Sequence, residues 1–266
     1  VAKTIGEWHM SGIHALVITG YGINCEKEMA LACDLAGART EIAHAHALLH
    51  NQIDLGQYHL ICFPGGFAFG DELGAAKVLA NRMRGLRDRL QNFVAEGRCI
   101  LGICNGFQLL VKLGLLPGQT VKQAISLTYN DHARFDDRWV CHDVATDRCV
   151  FTQGLARLNL PIRHGEGKFV LSDDALAAEL ASRCQVAFRY AGDNPNGSYD
   201  RIAGICDPTG RILGMMAHPE AALFPTNHPD WLRRKEEAKR NQTPLPDHGE
   251  GYFLFKNAVE FLKGTV

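Results

Sequence analysis

Short apolar runs, each followed closely by glycine and then by helical spacing, recur through the first half of the chain. Residues 14–19, 58–63 and 99–103 are such runs, and their length predicts buried strands rather than helices. Residues 25–36 have helical character, with Asn24 the predicted N-cap and Gly37 the stop. Residues 39–43 read as a further strand, and 74–83 and 86–96 as two more helices. A strand, loop, helix, strand opening predicts a parallel sheet with crossover helices.

After Pro117-Gly118 the pattern changes. Residues 138–144 alternate like a half-exposed strand, and 162–167 read as a polar turn after a short apolar run. Ser172 is the predicted cap of a helix over 173–181, and 185–190 reads as a strand. Turn chemistry at Asn194-Pro195-Asn196-Gly197-Ser198 separates it from a hairpin, 202–206 and 211–216, folded about Asp207-Pro208-Thr209-Gly210. Residues 224–247 are charged and lack apolar periodicity, which predicts an exposed insertion with room for a surface helix. Residues 252–262 place Phe255, Val259 and Leu262 on one helical face. The expected architecture is one α/β domain over 13–266, preceded by an N-terminal extension, 1–12. Its central sheet is mostly parallel and flanked by helices, with an added antiparallel hairpin region and a surface insertion at about 224–250.

Composition narrows the function classes. The formal net charge is −1, and no stretch interleaves aromatic with basic side chains, so no nucleic-acid partner is expected. No apolar run approaches membrane-spanning length, and the first twelve residues carry Lys3, Glu7 and His9 rather than a basic then apolar leader. No membrane role is expected either. Nine cysteines, an odd number without a C-x-x-C pair, fit a reducing cytoplasm better than a secreted disulfide framework. Cys33, Cys62, Cys99 and Cys206 read as small core residues.

Candidate chemistry begins where the 99–103 run stops. Cys104 precedes Asn105-Gly106, and helical character resumes at Gln108. A strand turning sharply into a helix lifts the residue at the bend out of the sheet. It also places that residue at a helix N-terminus, which favours an anionic nucleophile. Gly102 and Gly106 let neighbouring backbone come close. The window alone fits a buried core cysteine equally well. Gly65-Gly66 lies in a loop at a strand's carboxyl end, where open α/β sheets bind ligands and backbone N–H groups can face an oxyanion. His218 and Glu220, two apart after the hairpin, supply a base and a carboxylate to orient it. Each feature alone defaults to a turn or surface loop, but Cys104, His218 and Glu220 together make a coherent triad. No metal site is predicted: His44, His46 and His50 lie in a polar stretch after a strand and read as a solvated turn. Gly20-Tyr21-Gly22 lacks the third glycine of a dinucleotide fingerprint, and no G-x-x-x-x-G-K-[ST] loop is present.

The stretch Gly102-Ile103-Cys104-Asn105-Gly106-Phe107-Gln108 and the turn His218-Pro219-Glu220 resemble the motifs of triad-type (class I) glutamine amidotransferases. Gly65-Gly66-Phe67 with Gly70-Asp71, the stretch Arg134 to Val140, His164-Gly165-Glu166-Gly167 and Asn194 to Ser198 are similar to the glutaminase part of phosphoribosylformylglycinamidine synthase. The resemblance implies a flavodoxin-like amidotransferase fold and hydrolysis of L-glutamine through a Cys104 thioester. His218 would act as base and then acid, oriented by Glu220. Backbone N–H groups at Gly66, Phe67 and Asn105 would form the oxyanion hole, and Gln108 would contact substrate. No cofactor is expected in this chain. ATP and Mg are expected in a synthetase subunit or domain that receives the ammonia, with or without a small accessory subunit, and makes formylglycinamidine ribonucleotide. Ala68 and Phe69 stand where serine and tyrosine are expected. A free-standing subunit and a domain of a fused synthetase both remain open. A different elbow-cysteine hydrolase is disfavoured by Gln108 and His218-Pro219-Glu220, and a non-catalytic glutamine-binding module by the intact triad. Arg233, Arg234 and Lys235 of the insertion are expected to help dock the partner.

Overall fold

The computed structural model describes residues 12–118 and 124–265, so all but Gly12 of the expected N-terminal extension lies outside the described residues. Four strands, β1 (His14–Thr19), β2 (Arg39–His44), β3 (Leu60–Phe63) and β4 (Cys99–Ile103), pair in parallel in the order β2-β1-β3-β4. β3 and β4 are buried at every position, which explains their unbroken apolar runs: a parallel sheet is covered on both faces. The connections carry α1 (Glu26–Leu35), α2 (Ala45–Leu49), α3 (Lys77–Met83) and α4 (Arg87–Ala95), and α5 (Asn105–Lys112) follows β4.

The second half adds β5 (Ile125–Thr128), β6 (Asp136–Val144), β7 (Arg157–His164), β8 (Lys168–Leu171), α6 (Asp174–Ser182), β9 (Val186–Tyr190), β10 (Ile202–Cys206) and β11 (Ile212–Met215). β11 joins β4 in parallel, and the sheet then continues antiparallel to give β2-β1-β3-β4-β11-β10-β9-β6-β7. β5 and β8 form a separate two-stranded ribbon. The β10–β11 turn is held by Asp207, whose carboxylate accepts from the N–H groups of Arg211 (2.9 Å) and Ile212 (2.8 Å). Pro161 is tolerated in β7 because that strand is an edge, and its carbonyl accepts the His218 N–H at 2.8 Å. The charged insertion does hold a helix, α7 (Trp231–Asn241), and the chain closes with α8 (Tyr252–Lys263), which buries Phe255, Val259 and Leu262 as its periodicity requires.

Two predicted caps moved by one residue. Cys25, not Asn24, occupies the N-cap position of α1, because the N–H groups of both residues converge on Gly65 O (3.2 and 3.3 Å) and draw the chain toward that loop. Asp173 rather than Ser172 caps α6: its carboxylate accepts the Leu176 N–H at 2.9 Å, a charge-assisted bond. α3 begins at Lys77 rather than 74, since Ala76 has φ 56° and cannot be part of a right-handed helix. The functional consequence lies in the parallel half, where β1, β3, β4 and β11 run the same way. The loops after their carboxyl ends therefore gather at one edge.

Candidate active site

The backbone at the end of β4 turns on Cys104, which has φ 52° and ψ −107°. Such a conformation costs a non-glycine residue about 1–3 kcal/mol and persists only where its surroundings hold it. Here the Cys104 N–H donates to Met215 O (2.8 Å), and the Cys104 carbonyl accepts the Gln108 N–H of α5 (3.1 Å). Glycine is obligatory beside the bend, because a Cβ on Gly106 would stand 1.9 Å from Phe63 O.

His218 follows β11, and Glu220 lies in the single tight turn after it. His218 Nδ1 is 2.6 Å from Glu220 Oε1, and both side chains are almost fully buried. Burial by itself would push the imidazole down. The Glu220 carboxylate outweighs it and holds His218 well above the ordinary histidine range. Nδ1 therefore carries the proton toward Glu220, while Nε2 is buried with no hydrogen-bond partner. Gly65 marks where the groups meet. A methyl placed on it would lie 2.6 Å from His218 Cε1, 3.4 Å from Cys104 Cβ and 3.4 Å from Cys25 Sγ. The resting thiol of Cys104 donates to Arg163 O at 3.6 Å and stands close enough to the imidazole to help hold it up. Cys104, His218, Gly66, Phe67, Cys25 and Arg163 line a cavity of about 240 Å³. A larger cavity, about 420 Å³, lies beneath the insertion and touches none of the triad.

The expected oxyanion donors differ among themselves. Gly66 and Ile23 form an antiparallel pair whose bonds are made by their neighbours, Phe67 N–H to Gly22 O (2.9 Å) and Asn24 N–H to Gly65 O (3.2 Å). Phe67 is thus not an available donor in this conformation, and the Gly66 N–H is left unengaged at φ 150°. The Asn105 N–H opens α5, where no carbonyl of the preceding turn can reach it. Gln108 is 3% exposed and does not line the cavity. Its amide donates to Glu166 O (2.6 Å) and accepts from Asn105 Nδ2 (3.0 Å). Asn105 in turn accepts the Ala68 N–H (3.1 Å) and donates to Asp71 (3.1 Å). Gln108 and Asn105 therefore act as struts between the elbow, the glycine loop and the 164–167 turn.

That turn is held by partners that have no local signal. Asn130 Nδ2 donates to the carbonyls of Arg134 and His164 (both 2.9 Å), so its Oδ1 must accept from Gly167 N–H and His164 Nδ1 (both 3.1 Å). This assigns His164 the Nδ1–H tautomer, and burial, with His218 nearby, pushes it down to about 4. Asn196 Nδ2 ties Gly167 O (2.8 Å) to the Tyr190 hydroxyl (3.1 Å), which joins the Asn194 to Ser198 stretch to the same turn.

All nine cysteines are free. The three histidines are exposed but do not form a turn: His44 ends β2 and caps α2 by accepting the His46 N–H (3.0 Å), while His46 lies in α2 and His50 at its C-cap, their rings 4.1 Å apart. Among the described residues one group has the spacing of metal ligands, and it is Cys25, His218 and Glu220. In α7 the expected docking charges are largely compensated. Arg233 pairs with Asp230 (2.6 Å) and Glu237 (3.2 Å), and Arg234 reaches Glu250 (3.4 Å). No helix among the described residues is long and apolar enough to cross a membrane.

The description of the CobB/CobQ-like glutamine amidotransferase domain matches residues 13–262. The chain belongs to this family. The amidotransferase is 43% identical over 262 residues to phosphoribosylformylglycinamidine synthase subunit PurQ of Methanococcus maripaludis strain C5, covering 92% of this chain and 97% of that one. It is 39% identical over 267 residues to the subunit of the same name from Dehalococcoides mccartyi, covering 96% and 99%. A chain in the structure of PurLQS from Thermotoga maritima superposes with TM-score 0.73 at 28% identity, covering 94% of the amidotransferase and 99% of that chain. A glutamine amidotransferase from the same organism shares the fold alone, with TM-score 0.51 at 16% identity.

Proposed function

We propose that this amidotransferase is the glutaminase component of phosphoribosylformylglycinamidine synthase. It hydrolyses L-glutamine and delivers ammonia to an ATP-dependent synthetase that converts formylglycinamide ribonucleotide to formylglycinamidine ribonucleotide. The observation that carries the chemistry is a strained elbow cysteine, Cys104, set across Gly65 from a buried His218–Glu220 pair. Full-length similarity to PurQ subunits supports the choice of acceptor.

Cys104 Sγ attacks the side-chain amide carbon of glutamine once it has rotated from Arg163 O. His218 Nε2, unpartnered at rest, takes the thiol proton and returns it to the departing ammonia. The tetrahedral oxyanion is met by the N–H groups of Gly66 and Asn105. Water, deprotonated by the same Nε2, then cleaves the γ-glutamyl thioester and releases glutamate. Glu220 keeps the ring in its Nδ1–H tautomer and stabilises the imidazolium that forms twice in this cycle. In this reading ATP and Mg act in the synthetase partner, the chain itself carries no cofactor, and the complex works in the cytoplasm.

Cys104→Ala tests the division of labour. Glutamine hydrolysis and glutamine-dependent synthesis are abolished, while the assembled complex still makes product from added ammonia. Loss of the ammonia-dependent reaction in a correctly assembled mutant complex would refute it.

A further inference from the structure

The catalytic histidine has a second thiol on its other side. Cys25 Sγ lies 3.9 Å from His218 Nδ1, and Glu220 Oε1 lies 2.6 Å from the same nitrogen. One ligand atom from each of the three residues falls within 4.8 Å of the others. Glu220 Oε2 is buried without any hydrogen-bond partner, an arrangement that is costly for a carboxylate oxygen and that a cation would relieve. Bond lengths of about 2.3 Å to sulfur and about 2.0–2.1 Å to nitrogen at a tetrahedral centre set S···N near 3.6 Å, so Cys25 has only a few tenths of an ångström to move. Nδ1 and Oε1 must open by somewhat more, which happens once the proton they share has gone. Cys25 is half-exposed at the cavity wall, giving the ion an entry path and a water molecule a place as fourth ligand.

We propose that a thiophilic divalent cation of the Zn²⁺ class binds Cys25 Sγ, His218 Nδ1 and Glu220, and that it switches the glutaminase off without touching Cys104. Binding releases the Cys25 thiol proton to solvent, moves the His218 proton from Nδ1 to Nε2, where it blocks the base, and replaces the bond by which Glu220 orients the ring. The switching effect rests on the triad reading; the binding does not.

The experiment separates the two. The full chain carrying Cys104→Ala is titrated with Co²⁺ in the absence of glutamine, and the thiolate-to-cobalt charge-transfer band is read in the near ultraviolet. The band appears in Cys104→Ala, is lost in Cys25→Ser, is weakened in Glu220→Gln, survives Cys184→Ser and is bleached by Zn²⁺. In the glutaminase assay Zn²⁺ inhibits the wild-type protein, and a chelator reverses the effect. Losing even an outer-shell partner costs a metal site about 10–100-fold in affinity, so Cys25→Ser, scored against its own metal-free rate, needs at least about tenfold more Zn²⁺. A band absent from Cys104→Ala, a band retained by folded Cys25→Ser, or equal Zn²⁺ sensitivity of Cys25→Ser and wild type overturns the proposal. A Cys25-dependent band in a protein that never hydrolyses glutamine would instead overturn the glutaminase reading and leave the metal site standing.

Discussion

Replacing Gly65 by alanine puts a methyl group into the space between Cys104 and His218, the nucleophile and base of the proposed mechanism. Gly65 does not have a left-handed backbone, so alanine suits the local conformation and only the neighbours object. The new carbon would stand 2.6 Å from His218 Cε1. Carbon atoms pack best at about 3.5–4.0 Å, so the imidazole must retreat by about 1 Å. It has little freedom to do so, because Nδ1 is bonded to Glu220 at 2.6 Å and the side chain is buried. Displacing a reacting group by about 1 Å costs roughly 10²-fold in rate. That is about 2.7 kcal/mol of activation free energy. The expected result is a folded Gly65→Ala protein whose kcat for glutamine hydrolysis falls by two orders of magnitude, while ammonia-dependent synthesis by its complex is unchanged. Steady-state glutaminase kinetics and a parallel thermal melt read both quantities. A melt like the wild type's with kcat within twofold of it would show that His218 does not work from the position described.

Glu220→Gln lowers kcat at least about tenfold, within the roughly 10²–10⁴-fold range that general-base catalysis supplies, with little change in KM. It also removes the charge that holds His218 up, so the acidic limb of the pH–rate profile moves to lower pH; an unmoved limb would dissociate Glu220 from the base. His142 is wholly buried, and burial pushes it from 6.5 down to about 4. Above pH 6.5 both folded and unfolded chains leave this ring neutral. As the pH falls toward about 4 the unfolded chain binds the proton first, so stability is lost across that window by about 3 kcal/mol for such a residue. Urea unfolding at pH 7 and pH 4.5 should therefore show a smaller difference for His142→Leu than for wild type, and equal differences would exclude His142 as a cause. Gly106→Ala sets a Cβ 1.9 Å from the Phe63 carbonyl, a backbone collision no rotamer relieves, and a soluble protein with an unchanged melting temperature would contradict the helix–strand contact described.

What the chain declared by itself was local. The run 99–103 is a strand because its residues are buried on both faces, and the β10–β11 hairpin follows from turn chemistry that Asp207 completes with its own neighbours. The Cys104 elbow and the His218–Glu220 pair were legible for the same reason, since an elbow is a strand next to a helix and His218 and Glu220 are two residues apart. Partner choice was not legible. Phe67 presents an N–H group in sequence like any other residue, but the close approach of Gly22 takes it, and the neighbouring Gly66 is left free. Gln108 has the chemistry of a substrate contact, yet its amide meets Glu166 O, 58 residues away. Cys25 and His218 are 193 residues apart and come together only because β1 and β11 end at the same edge of the sheet. Periodicity and turn propensity are properties of neighbouring residues, whereas hydrogen-bond partners are settled by competition among groups that only the folded chain brings within 3 Å.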